Sequence, residues 1–144
     1  MSKNLHLYPS LFKVEGKPLQ ENWLPEGGPW YAGLKLKLSA DQTGHVVFNA
    51  AHEVHLVIVT GSAASQTILV ATHARLDGAY EKTTNSWLRE VPGGWELVTS
   101  TFLQDFEMAQ NISGQTSSVS LFKKGKFELQ SMQLPDKREF PLKK

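Results

Sequence analysis

Residues 34–38 read Leu-Lys-Leu-Lys-Leu. In an extended chain, strict alternation puts the three leucines on one face and the two lysines on the other. A strand that is apolar on one side and wet on the other suits an antiparallel sheet. Outward from it, Asp41-Gln42-Thr43-Gly44 is a turn signal, and His45 to Asn49 is a second strand with Val46 and Phe48 on one face. Glu53 to Thr60 is a third, and its continuous run Val57-Ile58-Val59 marks a central strand. Gly61 to Ser65 is a loop of small residues, and Thr67 to Arg75 is a fourth strand that ends at the turn Leu76-Asp77-Gly78. Thr83 to Leu88, Trp95 to Thr101, Ser117 to Phe122 and Lys126 to Leu134 follow as strands, with turns at Pro92-Gly93-Gly94 and Lys123-Lys124-Gly125. The one helical pattern is Leu103 to Ala109, where Phe102, Phe106 and Ala109 fall on one helical face.

Short strands separated by regular turns predict an all-β, antiparallel sandwich or barrel. The expected core is Leu34, Leu36, Leu38, Val46, Phe48, Leu56, Ile58, Leu69, Phe122, Phe127 and Leu129. The 144 residues read as one domain. Residues 1–30, with Pro9, Pro18, Pro25, Pro29 and Gly27-Gly28, form an irregular lead-in, and 135–144 form a tail.

The chain has no cysteine, which excludes disulfides, zinc-thiolate sites, thiol nucleophiles and iron–sulfur clusters. Its net charge is +1, so no overall field favours nucleic acid or a membrane surface. No apolar stretch reaches the roughly 18 residues of a membrane-spanning helix, and none has signal-peptide character. The expected location is cytoplasmic, or outside the cell by a route without a signal peptide.

His45, His52 and His55 lie close together with Glu53 among them. The string His52-Glu53-Val54-His55 has the wrong spacing for a zincin helix, and in a strand its two imidazoles point to opposite faces. They read as surface and edge histidines. Thr60-Gly61-Ser62-Ala63-Ala64 lacks the second glycine of a nucleophile elbow, and neither glycine-rich phosphate loop occurs. No catalytic residues, metal site or cofactor are assigned, so the expectation is a binding protein.

The most distinctive stretch is Thr67 to Thr99, which holds His73, Arg75, Asn85, Arg89, Trp95 and Glu96. Ideal strand geometry places Ala71, His73 and Arg75 on one face. Sugars present C–H faces that stack on an indole and hydroxyls that want planar donors and acceptors. The same residues also fit a core tryptophan, a turn asparagine and a surface ion pair.

The stretch ATHARLDGAYEKTTNSWLREVPGGWEL, Ala71 to Leu97, resembles the galectin family. Arg75, the pair Asn85-Ser86 and Trp95 fall where that family has its Arg, Asn-Ser/Thr and stacking Trp. The resemblance implies a jelly-roll-like sandwich of two antiparallel sheets. It also implies a non-catalytic lectin with a shallow saccharide groove of His73, Arg75, Asn85, Trp95 and Glu96, and with glycans or glycoconjugates as partners. Arg75 would be held by Glu96 or Asp77. Ala71 stands where the family has His, His73 where it has Asn, and Val98 where it has Glu, which implies weak or absent lactose binding. Lectins of this kind gain avidity from several displayed sites, so a homodimer or small homo-oligomer is expected. A second resemblance is to the lipocalins. Gly28-Pro29-Trp30-Tyr31 is similar to their Gly-x-Trp-Tyr start, which implies a barrel carrying a small apolar ligand.

Overall fold

A computed structural model describes residues 4–76, 80–105 and 112–133. Within them the chain is almost entirely antiparallel strand. The elements are β1 (Asn4–Leu7), β2 (Tyr31–Ser39), β3 (Gln42–Phe48), β4 (Glu53–Thr60), β5 (Ala63–Leu76), β6 (Tyr80–Val91), β7 (Gly94–Asp105), β8 (Ile112–Lys123) and β9 (Lys126–Gln133), with one 3₁₀ turn at Pro9–Leu11. Strands β2 to β9 lie side by side in chain order, and β1 pairs with β6. The sheet is open, with β2 and β9 at its ends. The expected all-β antiparallel architecture is present, and its connections are simpler than those of a jelly roll.

The sandwich-like layering comes from β5, which is 14 residues long. From Ala63 to Thr72 it pairs with β4, and from Thr72 to Leu76 with β6. Beyond Thr84, β6 takes β1 as its neighbour, with Ser86 opposite Leu7 and Arg89 opposite Asn4. A strand that changes partners in mid-course turns a corner between layers. The register against β4 slips where Val70 is inserted between Leu69 and Ala71, and such a bulge bends the strand. The Ser86 hydroxyl donates to the Val70 carbonyl at 2.6 Å across the parting strands.

One core unites the two layers. Val46, Phe48, Leu56 and Ile58 meet Leu7, Leu88, Leu97 and Phe127 in a single buried cluster. At the far margin the Gln66 side chain donates to the Phe127 carbonyl at 3.0 Å and accepts from its N–H at 2.8 Å. Gln42 donates to the Gly125 carbonyl at 2.8 Å. Side chains, not a backbone ladder, therefore bridge this margin, and the sheet does not close into a barrel.

The lead-in covers the other face of β3 and β4. Leu19, Trp23 and Leu24 pack on Trp30, Val47, Val57 and Val59. The run Val57-Ile58-Val59 is thus buried on both sides, as its sequence predicts.

Several expectations need correction. Leu34, Leu69 and Leu129 are 37%, 46% and 56% exposed. Leu34 and Leu129 lie on the two end strands, where no described strand covers one flank. The Val70 bulge sets Leu69 opposite His55, on the face away from the main core. The loop read at Gly61–Ser65 is the two-residue turn Gly61-Ser62, with Gly61 at φ 66°. Leu103–Asp105 belongs to β7 and pairs with both β6 and β8. A ladder on each side satisfies that backbone without the nucleation cost of a short helix. The rest of that helical pattern, the turn residues Asp77-Gly78, and Leu134 with the tail lie outside the described residues.

Candidate functional site

The β6–β7 hairpin sorts the predicted site residues onto two faces. Cross-strand partners share a face, and alternate residues change it. Asn85 lies opposite Ser100 and Arg89 opposite Glu96, while Ser86 lies opposite Thr99 and Leu88 opposite Leu97. Trp95 falls with Leu88 and Leu97 and packs, half-buried, against the core. Glu96 faces the other way, where Arg89 donates to it through Nε at 2.9 Å and also through a terminal nitrogen. Of the two carboxylates expected to hold Arg75, Glu96 is therefore taken by Arg89, and Asp77 lies outside the described residues. Arg75 sits opposite Glu81 in the β5–β6 register, and its side chain lies outside the described residues. Trp95 and Glu96 lie four to five residues along β7 from Asn85's partner Ser100, roughly 13–17 Å away. Trp95 and Glu96 therefore do not join Asn85 in one groove.

His73 and Asn85 do come together. They line a cleft of about 350 Å³ with Tyr8, Pro9, Ser10, His52 and Thr83. The β5–β6 register sets His73 opposite Thr83, and its Nδ1 lies 2.9 Å from the Thr83 hydroxyl. Its Nε2 is 4.0 Å from the Glu81 carboxylate. Asn85 alternates with the buried Thr84 and Ser86, so it faces away from the core. Buried Leu7 anchors β1 opposite Ser86, and this delivers Tyr8-Pro9-Ser10 over the same face. The Tyr8 and His6 rings stand 5.2 Å apart.

His52 is positioned by the β3–β4 turn, which is organised around buried Asn49. The Asn49 side-chain oxygen accepts from the N–H of Ala51 at 3.0 Å and of Glu53 at 3.1 Å. Its amide donates to the Glu53 carboxylate at 2.9 Å and to the Gly27 carbonyl at 3.2 Å. This network holds His52 at φ 66°, a conformation costing on the order of 1 kcal/mol for a non-glycine residue. Sequence reasoning missed Tyr8, His52 and Asn49 as parts of a site. The usable signal was Asn49 itself, because asparagine folds the next few residues into a turn through its own side chain.

The other two clustered histidines go elsewhere. His45 stacks on Trp23 with ring centroids 4.4 Å apart, and His55 meets Trp30 edge-on at 4.9 Å. Burial pushes the His55 pKa down, against an opposing pull from Glu53. Burial, helped by Lys35 and opposed by Glu21, does the same at His45. Among the described residues no three metal-ligating side chains converge.

The cleft thus offers two imidazoles, an amide and two hydroxyls around the phenol ring of Tyr8. Comparison with known proteins adds nothing to this geometry: no family model, no curated protein and no solved structure matches the chain.

Proposed function

We propose that the chain is a non-catalytic saccharide-binding protein whose site is the cleft of Tyr8, His73 and Asn85. The observation that carries this reading is the convergence of His73 and Asn85, two residues of the predicted groove, beside an aromatic ring. In this arrangement Tyr8, not Trp95, supplies the ring for the apolar face of a pyranose. Asn85 accepts from one hydroxyl and donates to another, and Thr83 and Ser10 complete the polar wall. The cleft is open, so single-site affinity is on the order of micromolar to millimolar. Glycans or glycoconjugates are the partners, and a homodimer would raise avidity by displaying two such clefts.

A broad glycan array, followed by NMR titration of the best binder, tests the proposal. Asn85→Ala and Tyr8→Ala should each weaken binding at least tenfold while the fold persists. Binding unchanged in both variants, or no binding by the parent across the array, would refute it.

A second reading has one observation in its favour. Trp30 of the lipocalin-like Gly28-Pro29-Trp30-Tyr31 stands buried immediately before β2, the first strand of a meander. A carrier would need an apolar cavity in the space that Phe48, Leu56, Ile58 and Phe127 occupy. Displacement of a fluorescent fatty-acid probe would favour that reading over the lectin.

A further inference from the structure

We propose a second saccharide site, separate from the first, in the cleft where Trp23 and His45 overhang the bulge of β2. It rests on the saccharide reading above and extends it to a second surface. Among the described residues the two clefts share no lining residue.

The lead-in builds one wall. The Leu19 N–H donates to the Trp30 carbonyl at 2.8 Å, which ties residues 19–30 back over the sheet. Trp23 then lies on the outer face of β3, with its ring against that of His45. The floor is unusual for a strand. Ala32 and Gly33 carry almost no side chain, and the β2–β3 register slips between Ala32 and Leu34. Glycine is required at position 33, because a Cβ there would come within 2.9 Å of both the Val46 carbonyl and the Phe12 ring. Bulges of this kind commonly re-aim side chains beside binding sites.

The result is a cleft of about 280 Å³ lined by Trp23, His45, Leu34, Val47, Glu21 and Lys35 among others. That volume lies just below the range of roughly 300–1,000 Å³ typical of drug-sized ligands, and it suits a single sugar ring. The wall chemistry fits the same class. The Trp23 and His45 rings offer an apolar surface for the C–H face of a pyranose. Lys35 donates, Glu21 accepts, and a neutral His45 imidazole does either. One carboxylate and one ammonium on the rim leave no net charge to recruit an anion, so a neutral glycoside is the ligand class. With two clefts, one chain is already bivalent and gains avidity without dimerising.

The test is NMR titration of the full chain with methyl glycosides of glucose, galactose, mannose and N-acetylglucosamine, up to the order of 10 mM. Ala32 is exposed, so Ala32→Phe fills the cleft from the solvent side without disturbing the core. The expected result is perturbation of the Trp23 indole and His45 ring signals that Ala32→Phe abolishes and Lys35→Met weakens several-fold. Shifts around His73 and Asn85 should persist in both variants. Shifts confined to His73 and Asn85 would overturn the second site and leave the first standing. Shifts confined to Trp23 and His45 would support the second site and overturn the first. No shift at either cleft with any glycoside would overturn both.

Discussion

Asn49 is the residue whose replacement tests this structure most severely. It is 7% exposed, and its side chain makes four hydrogen bonds, two accepted from backbone N–H groups and two donated. Asn49→Ala removes all four. A typical net contribution is about 1 kcal/mol per bond, and the partners left unpaired in a buried turn add to the loss. Release of His52 from its left-handed conformation returns on the order of 1 kcal/mol. The balance is a destabilisation of about 3 kcal/mol, or roughly 10 °C in Tm for a domain of this size. Urea and thermal unfolding followed by circular dichroism would measure it. Asn49→Asp separates the parts. It keeps both accepted bonds, loses both donations, and sets a second carboxylate against that of Glu53. It should therefore destabilise at pH 7 and recover relative to the parent as pH falls through the carboxylate range. A loss under about 1 kcal/mol in Asn49→Ala, a typical single-bond contribution, would show that the turn does not depend on this side chain. So would an Asn49→Asp penalty that is flat with pH.

Gln66→Ala removes both hydrogen bonds that clamp Phe127, for a loss of about 2 kcal/mol and faster amide exchange at Phe127; unchanged exchange would refute the bridge between the layers. His45 and His55 are held below their ordinary pKa near 6.5, so the unfolded chain binds protons first as pH falls. Stability present above about pH 6.5 is therefore lost as pH drops through the folded-state values, and urea midpoints equal at pH 7.5 and 5.5 would contradict this. Trp95→Ala should cost about 2 kcal/mol, less than the 3–5 kcal/mol of a fully buried aromatic, and leave glycoside shifts at His73 and Asn85 unchanged. Abolished binding in a folded Trp95→Ala protein would restore the original groove.

The layered all-β architecture was legible locally. Leucine alternation at residues 34–38, the apolar run at 57–59 and the turns at Pro92-Gly93 and Lys124-Gly125 each depend on a few adjacent residues. Burial at the sheet ends was not, because Leu34 and Leu129 have the pattern of core residues and are exposed on end strands that have one neighbour among the described residues. The predicted groove failed for reasons of parity and pairing. Trp95 and Glu96 are adjacent, so they had to face opposite ways, and which one met the core depended on the register of β6 against β7. His73 and Asn85 lie twelve residues apart in β5 and β6, and their meeting needed only a correct hairpin register. Tyr8 reaches them through the β1–β6 pairing, across more than sixty residues of chain. No local pattern encodes that pairing. It forms because β5 leaves β6 at the Val70 bulge, and the backbone groups exposed there take β1 as their partner.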